Sequence, residues 1–525
     1  MICLSFDIII KNGRIIDGTG NPWYKADVGI SGDRVESIGD LSESSYGRII
    51  DAEGLIVAPG FIDTHSHSDI VTLFDPRVES KIRQGVTTEL VGNCGNSAAP
   101  INELVREMWE KRIKRRFGDD FVARARWETM AEYLDLVDAQ GASYNFAALV
   151  GHGTVRANVM GQEDRAPTEA ELEEMKGLVA SAMQDGAFGL STGLIYIPGA
   201  FAETEEIIEL TKVVAEHDGL YFSHIRGEGE TLLKSVEEAI RVGREAGVPV
   251  QIAHFKATGE PNWGKTVDSL RLVAEGRAKG VDVVFDQYPY IASSTGLSSR
   301  LPHWAQEGGS DVMLERLRDP ATRKKIKDAL TPNLNSIMIA SAKNNTQYEG
   351  MRVTEIAEKE GKDSRDVVFD LLLAEEAQVQ IVSFGLSEED VRRVMRSPYG
   401  MVGSDGSAIA PHGILGEGKP HPRSYGTFAR VIGHYVREGV LSLQEAVRKM
   451  TSAPALHLGL KDRGLLREGY KADITIFDPE KVKDEATFID PHQFASGIPY
   501  VIVNGTVVID EGEHTGELPG VVIRP

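Results

Sequence analysis

Cysteine is almost missing from this chain: Cys3 and Cys94 are the only two among 525 residues. A disulfide framework is therefore excluded as a source of stability, and a reducing cytoplasm is the expected home. Long apolar runs are missing as well, since no stretch approaches the ~18 apolar residues of a membrane span. The opening segment from Met1 to Lys11 has no basic region before its apolar stretch and no small-residue cleavage site after it, so it reads as a first β-strand. Positive charge is in deficit. Lysine and arginine number 57 against 79 acidic residues, a net charge of −22, which argues against nucleic acid and anionic membrane as partners because both need a basic face that displaces counterions. An anionic small molecule would instead need cations placed at its own site.

What is present suits a large folded core: 41% of the residues are hydrophobic and 26% charged, an ordinary globular balance. A decorated barrel of roughly 200 to more than 400 residues accommodates most of the length. The first sixty residues read as short strands broken by turns, and the far end does the same around Asn504-Gly505. Residues 1–57 and 456–525 are expected to share one β-sandwich domain. Between them, short apolar strands alternate with helical patterns. Eight are expected, at Gly60 to Thr64, Thr87 to Val91, Phe146 to Val150, Ala187 to Ser191, Leu220 to Ser223, Val250 to Ala253, Val281 to Phe285 and Met401 to Ser404. Eight parallel strands predict a (β/α)8 TIM barrel over 58–455. A rim insertion is expected at about 296–399, with helical segments Asp311 to Ala329 and Val353 to Ala374 and an apolar run Ser336 to Ala342.

Barrel enzymes carry their chemistry at the carboxyl ends of strands. After the first strand come His65 and His67, which the period of two points to one side. After the second comes Cys94 between small residues, after the fifth His224, after the sixth His254 and after the eighth Asp405. Taken singly, a buried His or Cys is more often a satisfied core residue. Jointly, six metal-type residues in one register predict a metal site, with zinc suited by imidazole and thiolate. His152 could lie near the mouth, His303 sits in the insertion, and His217, His434, His457, His492 and His514 are expected at the surface. Lys256, two residues beyond His254, and Arg423 are the cations in position to hold a carboxylate, and Tyr288 and Tyr290 can donate hydroxyls.

These residues resemble the amidohydrolase superfamily, and more closely its N-acyl-D-amino-acid deacylase (D-aminoacylase) branch. The similarity spans nearly the whole chain: Ile8 to Gly13, Ala58 to His67, Gly92-Asn93-Cys94-Gly95, Ser223-His224-Ile225-Arg226, Asp286 to Tyr290, Gly403 to Gly406, His421-Pro422-Arg423 and Gly469 to Ile474. Many superfamily members place a carboxylated lysine after strand four; here Phe188 to Leu194 has none, and Cys94 looks like its replacement. The resemblance implies one tight zinc on Cys94, His224 and His254, and a second, weaker or partly occupied site at His65 and His67. It implies Asp405 as the proton carrier of amide hydrolysis, with a plain ligand role as the alternative. Lys256, Arg423 and one of the two tyrosines would bind the α-carboxylate, with Arg226 and Arg300 as weaker candidates for the side chain or acyl group. The expected substrate is an N-acyl-D-amino acid, or a dipeptide ending in a D-residue. The other readings are a cyclic amidase of the dihydropyrimidinase or hydantoinase type and a non-catalytic binding or assembly barrel. A homo-oligomer is compatible with the sequence.

Overall fold

The computed structural model describes residues 5–330 and 334–525. Cys3 lies outside the described residues. Eight parallel strands form the centre: β1 (Phe61–Asp63), β2 (Val86–Val91), β3 (Asn145–Ala148), β4 (Gly189–Gly193), β5 (Leu220–His224), β6 (Val250–Ile252), β7 (Val283–Gln287) and β8 (Gly400–Val402). All eight expected strands are present, because each is a buried apolar run too short for a helix and bounded by turns. Phe188 N bonds to Ala148 O (2.8 Å), joining β3 to β4. The ring closes beyond the strands, where Asp405 N donates to His65 O (2.7 Å) and His67 N to Gly406 O (2.9 Å). Some of the helices between strands start on side-chain caps; Thr168 and Glu171 form a reciprocal capping box at the start of Glu169–Gln184, satisfying two orphan N–H groups.

Both chain ends build the second layer. A four-stranded sheet from Ser5–Lys11, Asp27–Ser31, Arg34–Gly39 and Ser45–Asp51 faces a seven-stranded one. In the latter, Ile474–Phe477 pairs with Ile56–Pro59 on one side and Tyr500–Val503 on the other. Ile8, Ile10, Val28 and Ile30 from one sheet pack on Val57, Ile474, Ile476 and Ile502 from the other, the interior of a β-sandwich. Ile56–Pro59 leads through Gly60 directly into β1, so the sandwich sits against the amino-terminal ends of the barrel strands.

The insertion departs from the expected pattern. The segment Asp311 to Ala329 is two helices, Gly309–Arg318 and Pro320–Ala329, since Pro320 cannot continue the first and Asp319 caps the second. Val353 to Ala374 likewise divides into Val353–Glu360 and Ser364–Ala374, with Gly361 left-handed between them at φ 66°. The apolar run is the strand Ile337–Ser341, an edge of a three-stranded antiparallel sheet with Gln380–Phe384 and Ala292–Gly296. The insertion buries its own core, including Leu317, Ile326, Ile339, Ile356 and Phe369.

Candidate metal centre

Ligand-type atoms from four strand ends meet at the mouth of the barrel. One ligand atom each from His65, Cys94, His254 and Asp405 lie within 4.8 Å of one another, all four residues buried, and His224, Glu228 and His254 form an overlapping group. His65 Nε2 is 3.3 Å from Cys94 Sγ, which is 3.7 Å from His254 Nε2. His254 Nε2 in turn is 2.7 Å from His224 Nδ1. Asp405 Oδ1 lies 3.0 Å from His67 Nε2 and 3.4 Å from His65 Nε2. The His67 side chain is 34% exposed whereas that of His65 is fully enclosed, so His67 is the member facing water.

Local backbone geometry makes this convergence work. Cys94, His254 and Asp405 all adopt left-handed φ, at 54°, 36° and 50°, a conformation that costs a non-glycine residue about 1–3 kcal/mol and concentrates at functional sites. The Cys94 loop fits because β4 ends in glycine: a Cβ on Gly193 would stand 2.1 Å from Cys94 O. The Cys94 backbone carbonyl thus fills the space that a side chain at the end of β4 would occupy.

Carboxylates behind the histidines aim them. His65 Nδ1 donates to Asp286 Oδ1 (2.9 Å), which turns Nε2 toward Cys94. Asp286 also accepts from His254 N (2.8 Å) and Gln251 Nε2 (2.7 Å). His254 Nδ1 lies 3.0 Å from Glu228 Oε1 and so presents its own Nε2 inward. Such outer carboxylates fix the tautomer of ligating imidazoles and raise their basicity. Neither residue was singled out from sequence. Asp286 carries the signal that found the histidines, since it stands at the carboxyl end of β7, but Glu228 lies in a loop with no register to follow.

The charges are strongly coupled. Burial alone would raise the Cys94 pKa, but His65, His224 and His254 pull it well below its ordinary value. Burial would likewise raise that of Asp405, yet Arg423, His65 and His67 hold it well below the carboxylate range. Burial would depress His65, but Asp286, Cys94 and Asp405 raise it well above 6.5. A thiolate, a carboxylate and inward imidazoles in a water-poor pocket form a donor set that fits a divalent zinc ion.

The remaining predicted residues divide by their partners. Arg423 Nη1 donates to Asp405 Oδ2 at 2.6 Å, and its backbone N to His421 Nδ1 at 3.0 Å. Lys256 Nζ is 2.5 Å from Glu228 Oε1 and 2.8 Å from His254 Nδ1. Tyr288 faces both cations, its ring 4.9 Å from Arg423 and 5.7 Å from Lys256, and its buried hydroxyl has no hydrogen-bond partner. Tyr290 is turned aside to Asp484 Oδ2 (3.4 Å). Arg226 is committed to Glu238 and to the carbonyls of Ala200 and Ala202. Arg300 has a buried Nε without a partner beside Tyr196 and Glu228. His152 is held by Glu206 (2.8 Å). His457 is not a surface residue but packs on Phe222. Beneath the centre, Lys81 is fully buried and joins Asp63 Oδ2 (2.8 Å), Glu89 Oε1 (2.6 Å) and Ser404 Oγ (2.7 Å); no sequence pattern marks it.

A barrel whose strand ends carry this donor set defines a metal-dependent hydrolase class. The chain belongs to the amidohydrolase family, whose model matches residues 48–509. It is 40% identical to a D-aminoacylase of Alcaligenes xylosoxydans xylosoxydans, covering 99% of this chain and 97% of that one. A structure of D-aminoacylase, from work on one-metal activation and second-metal attenuation of its binuclear centre, superposes with a TM-score of 0.83 at 38% identity, covering 99% and 100% of the two chains. The N-acyl-D-glutamate deacylase of Bordetella bronchiseptica, complexed with zinc and a phosphonate mimic of the tetrahedral intermediate, gives 0.84 at 34% identity with the same coverage.

Proposed function

We propose that this chain is a zinc-dependent hydrolase that cleaves the amide bond of N-acyl-D-amino acids, or of dipeptides ending in a D-residue, to a carboxylate and a free D-amino acid. The observation that carries this reading is the gathering of His65, Cys94, His254 and Asp405 within 4.8 Å, beside two buried cations that can receive a carboxylate. Cys94, His224 and His254 would hold the tight zinc, and His65 and His67 a weaker second ion. When bound, zinc supplies Lewis acidity toward the amide carbonyl and lowers the pKa of water.

The protein residues supply orientation and proton transfer. Asp405, kept ionised by its cationic neighbours, takes the proton from the attacking water and delivers it to the departing nitrogen, which leaves only once protonated. Arg423 aligns that carboxylate through Oδ2 and keeps further N–H groups for the substrate. Lys256, Arg423 and the unpartnered Tyr288 hydroxyl bind the α-carboxylate, which fixes the amide relative to Asp405. Arg300 is the free cation for a polar acyl group or an acidic side chain. The absence of lysine from β4 and the thiol in its place weigh against the cyclic amidase reading. A cytoplasmic location suits a thiol that must stay reduced to serve as a ligand.

The test is amine release from a panel of N-acetylated D- and L-amino acids by the zinc-loaded protein. D-substrates should turn over and L-substrates should not. Full activity after removal of the metal would sink the mechanism.

A further inference from the structure

In the insertion's three-stranded sheet Gln380–Phe384 is the central strand, with Ala292–Gly296 and Ile337–Ser341 as its two edges. Alternate residues of an antiparallel strand turn their N–H and C=O groups to opposite sides. Leu386 N donates to Ile291 O (3.2 Å) and Leu297 N to Val379 O (2.8 Å), so the odd-numbered residues of the edge strand face the centre of the sheet. The carbonyls of Ala292 and Ser294 therefore point away from it, along the open edge. Such an edge needs covering. Two side chains from the His421-Pro422-Arg423 segment cover it: His421 Nε2 is 2.9 Å from Ala292 O and Arg423 Nη2 is 3.4 Å from Ser294 O.

The partners of His421 dictate its tautomer. A carbonyl only accepts, so Nε2 carries the hydrogen; the Arg423 backbone N–H only donates, so Nδ1, 3.0 Å away, is the bare nitrogen. Only the neutral Nε2–H ring satisfies both bonds at once. The imidazole is buried, with the rings of Tyr290 and Phe488 at 5.2 and 5.0 Å. Pro422 restricts the backbone of His421, and Arg423 opens the helix Arg423–Arg430. What His421 holds is thus Arg423, whose Nη1 donates to Asp405 Oδ2 (2.6 Å). A continuous series of bonds runs from Ala292 O through His421 and Arg423 to the metal centre. The same edge strand reaches across the mouth as well, since Thr295 Oγ1 donates to the Tyr196 hydroxyl (3.2 Å), whose ring lies 5.0 Å from that of His224.

We infer that His421 is a positioning residue, which locks Arg423 between the open edge of the insertion's sheet and Asp405 so that the substrate α-carboxylate meets a preset clamp. A long arginine side chain loses entropy when it is immobilised, and its fork is ready for a carboxylate only where other bonds have already fixed it. The inference rests on the reading that Arg423 receives the α-carboxylate.

The experiment compares zinc-loaded wild type with His421→Phe, His421→Asn and His421→Gln on N-acetyl-D-methionine and on N-acetyl-D-methioninamide, which lacks the α-carboxylate. Phenylalanine keeps the ring packing and loses both bonds. Asparagine places an acceptor where Nδ1 stands and takes the Arg423 N–H as an Asx turn, whereas glutamine places a donor where Nε2 stands. His421→Phe should raise KM for the carboxylate substrate by about 10- to 100-fold, the scale of a binding group misplaced by about 1 Å, and leave KM for the amide unchanged. An amide that is bound but not cleaved is read through its inhibition constant instead. The Asn and Gln variants, with one bond each, should fall between Phe and wild type, a graded rescue that a purely structural role would not give. If the two unpaired buried groups left by phenylalanine prevent folding, the Asn and Gln variants decide by themselves. Wild-type KM for N-acetyl-D-methionine in the folded variants, or an equal rise for both compounds, would overturn the inference while leaving the functional reading intact. Should wild type release no amine from either compound, the functional reading fails by itself; calorimetric binding of the two compounds then decides, equal affinity of wild type and variants for N-acetyl-D-methionine overturning the positioning role.

Discussion

At the base of the barrel, Asp473 accepts from Asn504 N (2.8 Å) and Asn145 Nδ2 (3.1 Å) and pairs with Arg463. At the mouth, Cys94, His65, His254 and Asp405 turn their acceptor atoms toward one another within 4.8 Å. Both ends bury polar and charged groups at comparable depth. At the base each acceptor meets a protein donor, which is how a stable buried network is built. At the mouth the acceptors outnumber the donors at the centre, and only a cation satisfies them together. The same strands thus contribute a structural end and a reactive end, and the sign of the missing partner tells them apart.

Changes at the mouth should remove chemistry and leave the fold, with the largest effect at the thiol. Cys94→Ala is expected to lose the tight zinc and to bring amine release below detection; metal analysis beside circular dichroism checks both, and a variant that keeps stoichiometric zinc would contradict the assignment. Asp405→Asn should retain that zinc while kcat falls by about 10²–10⁴, the range of a lost proton carrier. Turnover near wild type there would make Asp405 a ligand only. Glu228→Gln weakens the aim of His254 without touching the metal, so zinc affinity should drop by about 10–100-fold, as competition with a chelator reads out.

The smallest effect belongs to the base and concerns stability alone. Burial lowers the pKa of His457 to about 4, below the ~6.5 of an unfolded chain. The unfolded state therefore binds the extra proton between those values, and stability falls as pH drops from about 6.5 to 4. The difference of ~2.5 units corresponds to at most about 3 kcal/mol. His457→Leu should flatten the fall of the melting temperature over that window and leave kcat at neutral pH unchanged; an unaltered slope would place the proton elsewhere.

The barrel and the positions of the ligand-type residues were legible because both depend on local periodicity. A buried run of four to six apolar residues identifies a strand, and the residue just past it identifies the mouth. His65, His67, Cys94, His224, His254 and Asp405 all stand at that register. The insertion was less legible: its helices were drawn through Pro320 and Gly361, where backbone chemistry outweighs apolar pattern. Asp286 stands at the register of the ligands, whereas Glu228 and Lys81 escaped because a charged residue outside the strands carries no periodic signal of burial. Each is buried by a partner from a distant segment. The choice between Tyr288 and Tyr290 had the same character. Two positions separate them, and the neighbouring Asp484 takes only one.

The sequence by itself determined the kind of chemistry: soft and borderline donors at four strand ends and a carboxylate at a fifth, no lysine after β4, and an acidic chain with cations reserved for a few places. Which lone pairs face one another was decided by the tertiary structure alone. His65 and Asp405 lie 340 residues apart and meet only when Asp405 N bonds to His65 O as the ring closes. Local sequence sets where along a strand a side chain stands, whereas convergence on a single point requires eight strands closed into one barrel.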